Sequence, residues 1–239
     1  MGRTLNQYDD RIRARLGDLG VLQHFQNAAT SLALEAAINQ FSNDHPREVT
    51  QTLTGDGSTY DFDLDTDADA GDEYINGWSR ISLVEYPAGE RDPEYLDEYY
   101  GWRYIYTSGT NYLRLVEDTP SSAETVQVTY TAPWPYPTDT AADDKIPAIF
   151  ADAVSALAAS ILATSKATEL AAQQSTSVLG QLSPTNPEPL YSAASALRKA
   201  YETTVLGRPD DAGAPPQIGY AESEIDVFPN AIFHGRHRG

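Results

Sequence analysis

The sequence predicts an α+β protein: a helical bundle, built from N-terminal helices plus a C-terminal helical hairpin, with an inserted antiparallel β unit and an extended C-terminal tail. Three observations predict it. Apolar residues recur with a helical period before residue 45 and again after 143; between those limits the period falls to two; and beyond Gly207 no period survives. The corresponding boundaries are 1–45 for the first helices, 46–138 for the β insertion, 139–207 for the hairpin and 208–239 for the tail.

The N-terminal helix is expected over 4–16. Thr4 and Gln7 have capping-box spacing, Leu5, Tyr8, Ile12 and Leu16 share a face, and Gly17 stops it. Arg11, Arg13 and Arg15 make it the one basic patch near this end. Three arginines are too few to claim nucleic acid, so an acidic neighbour in the fold is at least as good a partner. A longer helix follows from Val21 to Phe41, apolar on one side through Phe25, Ala29, Leu32 and Ala36 and on another through Leu34, Ile38 and Phe41. His24 and His45 have no second ligand or nucleophile beside them and read as structural or exposed.

After Pro46 the β-rich runs are 49–54, 59–64, 80–86, 102–107, 111–116 and 125–131. Gly55-Asp56-Gly57-Ser58 between the first two reads as a hairpin turn, as does Ser108-Gly109-Thr110 between the fourth and fifth. Trp102, Tyr104 and Tyr106 alternate onto one face, as do Val126, Val128 and Tyr130. Pro133, Pro135 and Pro137 then form a stiff connector back to helix.

The longest helix is expected from Asp143 to Gln174, with Asp143 or Asp144 as N-cap and Pro147 in the first turn. Ile146, Ile149, Ala153, Leu157, Ile161, Thr164 and Leu170 form one face, while alanines occupy the others. Alanine's helix propensity accounts for this composition. So does a sharper alternative, in which Ala156, Ala159, Ala163 and Ala167 form a subunit interface with a second copy of the chain. The partner helix of the hairpin is capped by Asn186 with Pro187 just inside, carries Leu190, Ala194, Leu197, Tyr201 and Val205 at helical spacing, and ends at Gly207 and Pro209. In the tail, Ile218, Tyr220, Ile225, Val227, Phe228, Ile232 and Phe233 are apolar anchors, more than a merely solvated terminus needs; they fit a segment that orders on a partner.

Composition narrows the function. With no cysteine among 239 residues, disulfides and thiolate metal sites are excluded. The start lacks an apolar leader and no run is read as long enough for a membrane span, so a soluble protein is expected. The formal charge is −19, and the window from Asp61 to Glu98 holds thirteen carboxylates against Arg80 and Arg91. Such acidity serves solubility or a high-salt habitat, or it forms a face that cannot grip phosphates. In the last case Asp65, Asp67, Asp69, Asp72 and Glu73 line an acidic channel or an outer rim past which DNA slides. Asp65, Asp67 and Asp69 do not make a calcium loop, because Ala70 stands where glycine and Asn76 where glutamate is required. No P-loop, Rossmann, nucleophile-elbow or zinc motif occurs, and no catalytic residue, metal or cofactor is expected. A carbohydrate-binding or glycoside-active β domain, with Trp78, Trp102 and Tyr104 as sugar platform, is the rival reading.

The order of parts, with VTYTAPWPYP closing the β insertion, an Asp-Asp-x-Ile-Pro helix start, the alanine-rich hairpin and the anchoring tail, resembles the head-to-tail connector (adaptor) proteins of tailed bacteriophages, the gp6-like group. The best-matching stretch runs from Tyr112 to about Ala172; the other helices correspond in kind only. The resemblance implies a structural virion protein, not an enzyme, assembled in the host cytoplasm. It forms a ring, commonly a dodecamer, at the neck beneath the portal. The tail reaches to the portal protein, the β part faces the next neck or tail protein, and DNA passes through unbound.

Overall fold

A computed structural model describes residues 2–18, 25–65, 72–90, 94–141, 143–176 and 187–207. It has the expected α+β architecture, with element order α1 (Leu5–Leu16), α2 (Asn27–Asp44), β1 (Arg47–Thr54), β2 (Asp61–Asp63), β3 (Ile81–Glu85), β4 (Trp102–Thr107), β5 (Thr110–Leu115), β6 (Thr125–Ala132), α3 (Ala148–Thr176) and α4 (Glu188–Val205). Residues 177–186 and 208–239 lie outside the described residues, and with them Asn186 and the seven apolar anchors expected in the tail.

Helix α1 forms where its caps put it. Thr4 accepts from the Gln7 N–H, the Gln7 side chain accepts from the Thr4 N–H, and Gly17 closes the helix at φ 68°. Tyr8 and Ile12 are fully buried. Helix α2 begins at Asn27, six residues later than its periodicity predicts. The cause is a buried ion pair. Arg13 Nη1 donates to the Phe25 carbonyl at 3.0 Å and Asp18 Oδ2 accepts from the Phe25 N–H at 3.3 Å, which takes both backbone groups of Phe25 for tertiary bonds instead of a helical ladder. Of the two faces expected on α2, Leu34, Ile38 and Phe41 are buried; on the other, Phe25 and Ala29 also pack on the core, whereas Leu32 is 66% exposed and Ala36 is open.

Helix α3 is the axis of the bundle. From Ala153 to Ser160 every residue is buried, because α1, α2 and α4 surround it. Its length and apolar composition would suffice to cross a membrane, against the sequence reading, but 67% of that stretch is buried inside the fold. Neither Asp143 nor Asp144 caps it. Asp144 instead accepts from the Arg3 N–H at 2.7 Å and from the Tyr8 hydroxyl at 3.2 Å, tying the N-terminal segment down, and the Pro147 carbonyl receives the first helical N–H bonds. Ile149, expected on the buried face, is 63% exposed because the helix is only starting there. Helix α4 packs through Ala194, Tyr201 and Val205, and Ser160 donates across to the Ala194 carbonyl at 2.8 Å.

The β unit is two three-stranded antiparallel sheets, β1-β6-β3 and β2-β5-β4. They share one core that includes Leu53, Val84, Val128 and Tyr130 from the first sheet and Phe62, Trp102, Leu113 and Leu115 from the second. Ser108 (φ 53°) and Gly109 (φ 88°) make the two-residue hairpin turn expected between β4 and β5. The other expected hairpin is absent: β1 pairs with β6 along its whole length and β2 with β5, so Gly55 to Ser58 arches from one sheet to the other. Gly55 is required there by close approach, since a Cβ would stand 2.3 Å from the Pro120 carbonyl oxygen. Asp56 holds the arch by accepting from the Ser58 and Thr59 N–H groups.

The bundle and the sandwich meet at Trp134, on the proline connector. Its indole donates to the His45 carbonyl at 2.7 Å, its ring stacks on Phe41 at 5.6 Å, and Arg47 lies over it at 5.8 Å. Asp72 completes the junction by accepting from both Arg47 and Lys145 at 2.6 Å.

Candidate interaction surfaces

The four alanines expected at a subunit interface sit inside the chain. Ala156 is 1% exposed and Ala159, Ala163 and Ala167 are fully buried, so no surface remains at them for a second copy. Their small size is used within the subunit, where it lets three other helices close on α3. The faces left open are elsewhere: Ala28, Leu32 and Ala36 on α2, and Ala193, Ala196 and Ala200 on α4.

The acidic set is divided. Asp65 is a structural anchor, accepting from the Asn111 N–H at 3.1 Å and from the Asn111 side-chain amide at 2.9 Å. Asp72 is the bridge between Arg47 and Lys145. Burial of its carboxyl works toward a higher pKa, but hydrogen bonds and charge from those two cations more than offset this and hold it below its ordinary value. Both are partly buried and engaged within the chain. Glu73 is exposed, while Asp67 and Asp69 lie outside the described residues. Unused acid stands on the segment before β4, where Glu94, Asp97 and Glu98 are exposed.

The basic patch of α1 meets acids of the chain itself. Arg3, Arg11 and Arg15 converge on Asp152 of α3, and Arg13 is buried against Asp9 and Asp18. His45 packs edge-on to Phe150 at 4.8 Å and to Phe41 at 5.5 Å; burial lowers its pKa, so it is neutral at pH 7 and structural. His24 lies outside the described residues. Two tyrosines bond carboxylates across helices: Tyr8 to Asp144, and Tyr201 to Asp44 at 2.7 Å. Burial first, and the adjacent carboxylate second, push both phenols up.

The sugar platform does not assemble. Trp102 is 5% exposed with its indole on the Leu96 carbonyl, Trp78 donates to Asn43 on α2, and Tyr104 donates to Asn76 and Asn111. The Trp102 face is thus spent in the core, while Trp78 and Tyr104 stay partly exposed. Among the described residues no three His, Asp or Glu side chains gather as a metal site. A depression between α2 and α3 holds the Lys166–Glu169 ion pair and Ser165.

What sequence reasoning missed is a run of exposed aromatics. Tyr95, Tyr99 and Tyr100 are 55%, 67% and 79% exposed. The signal was available in the sequence as PEYLDEYYG, whose tyrosines are interspersed with acids.

No protein-family model and no curated protein sequence matches this chain. Among solved structures, the chain is similar to one from the neck of an empty gene transfer agent (GTA) particle, computed with C6 symmetry, at 16% identity and TM-score 0.27, covering 66% of this chain and 76% of that one. It is also similar to one from the virion of a native gene transfer agent particle, at 18% identity and TM-score 0.27, covering 80% of this chain and 88% of that one.

Proposed function

We propose that this chain is a structural, non-enzymatic virion protein: a head-to-tail adaptor that forms a cyclic ring beneath the portal, joins the capsid to the neck or tail, and surrounds the DNA passage. The observation that carries the reading is the order of parts. Helices from both ends of the chain close on α3, the sandwich is inserted between them, and a tail with apolar anchors follows α4, the order of parts on which the resemblance rests. The bundle of 1–45 and 139–207 supplies the ring wall, 46–138 faces the next neck or tail protein, and 208–239 reaches the portal.

Because the α3 alanines are already covered, the seam between copies falls on the open faces of α2 and α4, joined head to tail around the ring. Excess negative charge keeps DNA from adhering to the passage. The test is the solution mass of the chain with and without purified portal protein, followed by electron microscopy. A ring, commonly of twelve copies, that loses portal association on truncation after Gly207 is expected. Leu32→Glu is expected to block the ring while leaving the helical circular-dichroism signal intact. A stable monomer that never co-sediments with portal overturns the reading.

A further inference from the structure

We infer that the surface carrying Tyr95, Tyr99 and Tyr100 is a docking face for an arginine-bearing protein segment. This goes beyond the ring reading and holds equally for a single copy of the chain.

The first ground is exposure of aromatic area on a fixed support. The segment 94–101 is tied down on all sides: Leu96 N–H donates to the Val84 carbonyl at 2.9 Å, the Glu94 carbonyl accepts from the Tyr86 N–H at 3.1 Å, and the Trp102 indole donates to the Leu96 carbonyl at 3.2 Å. Leu96 itself packs against the sandwich core. Arg103 donates to the Tyr99 carbonyl through both Nε and Nη2 at 3.4 Å. The tyrosines are thus outside not because the backbone is loose but because the backbone holds them there. None of their three hydroxyls has a partner among the described residues. Val116, 41% exposed, extends the patch, its N–H donating to the Gly101 carbonyl at 3.0 Å. Rigid exposed tyrosines lose little conformational entropy when covered, which is why they are enriched at protein interfaces.

The second ground is charge, which selects the occupant. Glu94, Asp97, Glu98, Glu117 and Asp118 are exposed around the patch and enter no ion pair among the described residues. Among the described residues, Arg103 has its guanidinium on the Tyr99 carbonyl, and its cross-strand neighbour Arg114 is paired with Asp61. A nucleic acid or an acidic membrane is repelled by such a face. The arginines of α1 in a second copy are not the occupant, because they are already held by Asp152, Asp9 and Asp18. An arginine-bearing segment meets both features: its planar guanidinium stacks on tyrosine faces and bonds carboxylates in pairs, which a lysine ammonium does not do.

The experiment uses the full chain and two fluorescent probes of equal charge, nona-arginine and nona-lysine, with binding read by anisotropy at about physiological ionic strength. Nona-arginine is expected to bind at least about five-fold more tightly than nona-lysine. It is also expected to slow amide hydrogen exchange over 94–103. Tyr99→Ala with Tyr100→Ala is expected to reduce arginine binding to the lysine level, and Tyr99→Phe with Tyr100→Phe to retain the preference, because the aromatic faces remain. Glu169→Gln, on α3, removes one charge elsewhere and is expected to leave the preference unchanged. Equal affinity for the two peptides, or a preference that survives the double alanine variant, overturns the proposal by showing that bulk acidity alone attracts the probes. An arginine preference lost even in the double phenylalanine variant, with thermal unfolding unchanged, overturns it as well.

Discussion

Replacing Arg13 by methionine isolates the interaction that sets where α2 begins. The guanidinium has five N–H donors, and the structure offers each a partner: Asp9 Oδ2 at 2.7 Å, Asp18 Oδ2 at 2.9 Å, the Phe25 carbonyl at 3.0 Å, Asn27 Oδ1 at 2.7 Å and Thr30 Oγ1 at 3.4 Å. Arg13 and Asp18 side chains are 2% and 1% exposed, so solvent does not screen the pair. Methionine matches the length of the side chain but leaves Asp18 buried without its cation, and deletion of one partner from a buried pair costs about 3–5 kcal/mol. That is a large part of the roughly 5–15 kcal/mol by which a folded protein exceeds its unfolded chain. The assay is urea unfolding at pH 7 followed by circular dichroism, with the midpoint compared at constant slope. Arg13→Lys, with three donors and no fork, is expected to fall between. In the double variant Arg13→Met, Asp18→Leu the buried charge is gone, so part of the loss is expected to return. A single-variant cost below about 1 kcal/mol, or a double variant no more stable than the single, refutes the argument that this ion pair anchors the connector.

Three further outcomes follow from the same structure. Ala159→Leu and Ala163→Leu add volume where α3 is fully enclosed, so each is expected to destabilise the isolated chain by about 1–3 kcal/mol in urea unfolding, independently of any assembly. Asp72 has a depressed pKa; its contribution is therefore present above the ordinary carboxylate value near 4 and is lost as pH falls through its lower folded value. Melting temperatures of wild type and Asp72→Asn, taken from pH 7 downward, are expected to differ at neutral pH and converge at the acid end. Tyr74 and Tyr130, both pushed up by burial to about 12, contribute stability that is complete below pH 10 and lost as pH rises toward 12. Ultraviolet difference titration is expected to show both ionising later than the exposed tyrosines.

Much of the fold was legible because local rules and tertiary packing agree at those places. The capping pair Thr4–Gln7, the Ser108–Gly109 turn and the alternation Val126, Val128, Tyr130 each appear in the structure where the sequence puts them. The misreadings share one origin. Gly55-Asp56-Gly57-Ser58 has the chemistry of a tight turn, but a turn does not specify which strand pairs with which; β1 found β6, more than seventy residues away, because that pairing buries both strands in the sandwich. Asp144 looks like a helix cap and serves as an anchor for the chain start, since Arg3 and Tyr8 arrive beside it only after folding. Tyr99 and Tyr100 carry no mark in the sequence, since nothing local distinguishes a tyrosine bound for a core from one held outside.

By itself the sequence determined the periods: helical at both ends, two in the middle, none in the tail, with no cysteine for thiolate chemistry. Those are properties of neighbours along the chain, where sterics and hydrogen bonding act over a few residues. Only the tertiary structure decided which of several equivalent faces turned inward. Alanine is compatible with a core, a subunit seam or plain helix propensity, and a carboxylate with a rim or a junction. The choice fell to whichever partner the folded chain brought within contact distance: α1, α2 and α4 around the alanines of α3, and Arg47 with Lys145 around Asp72.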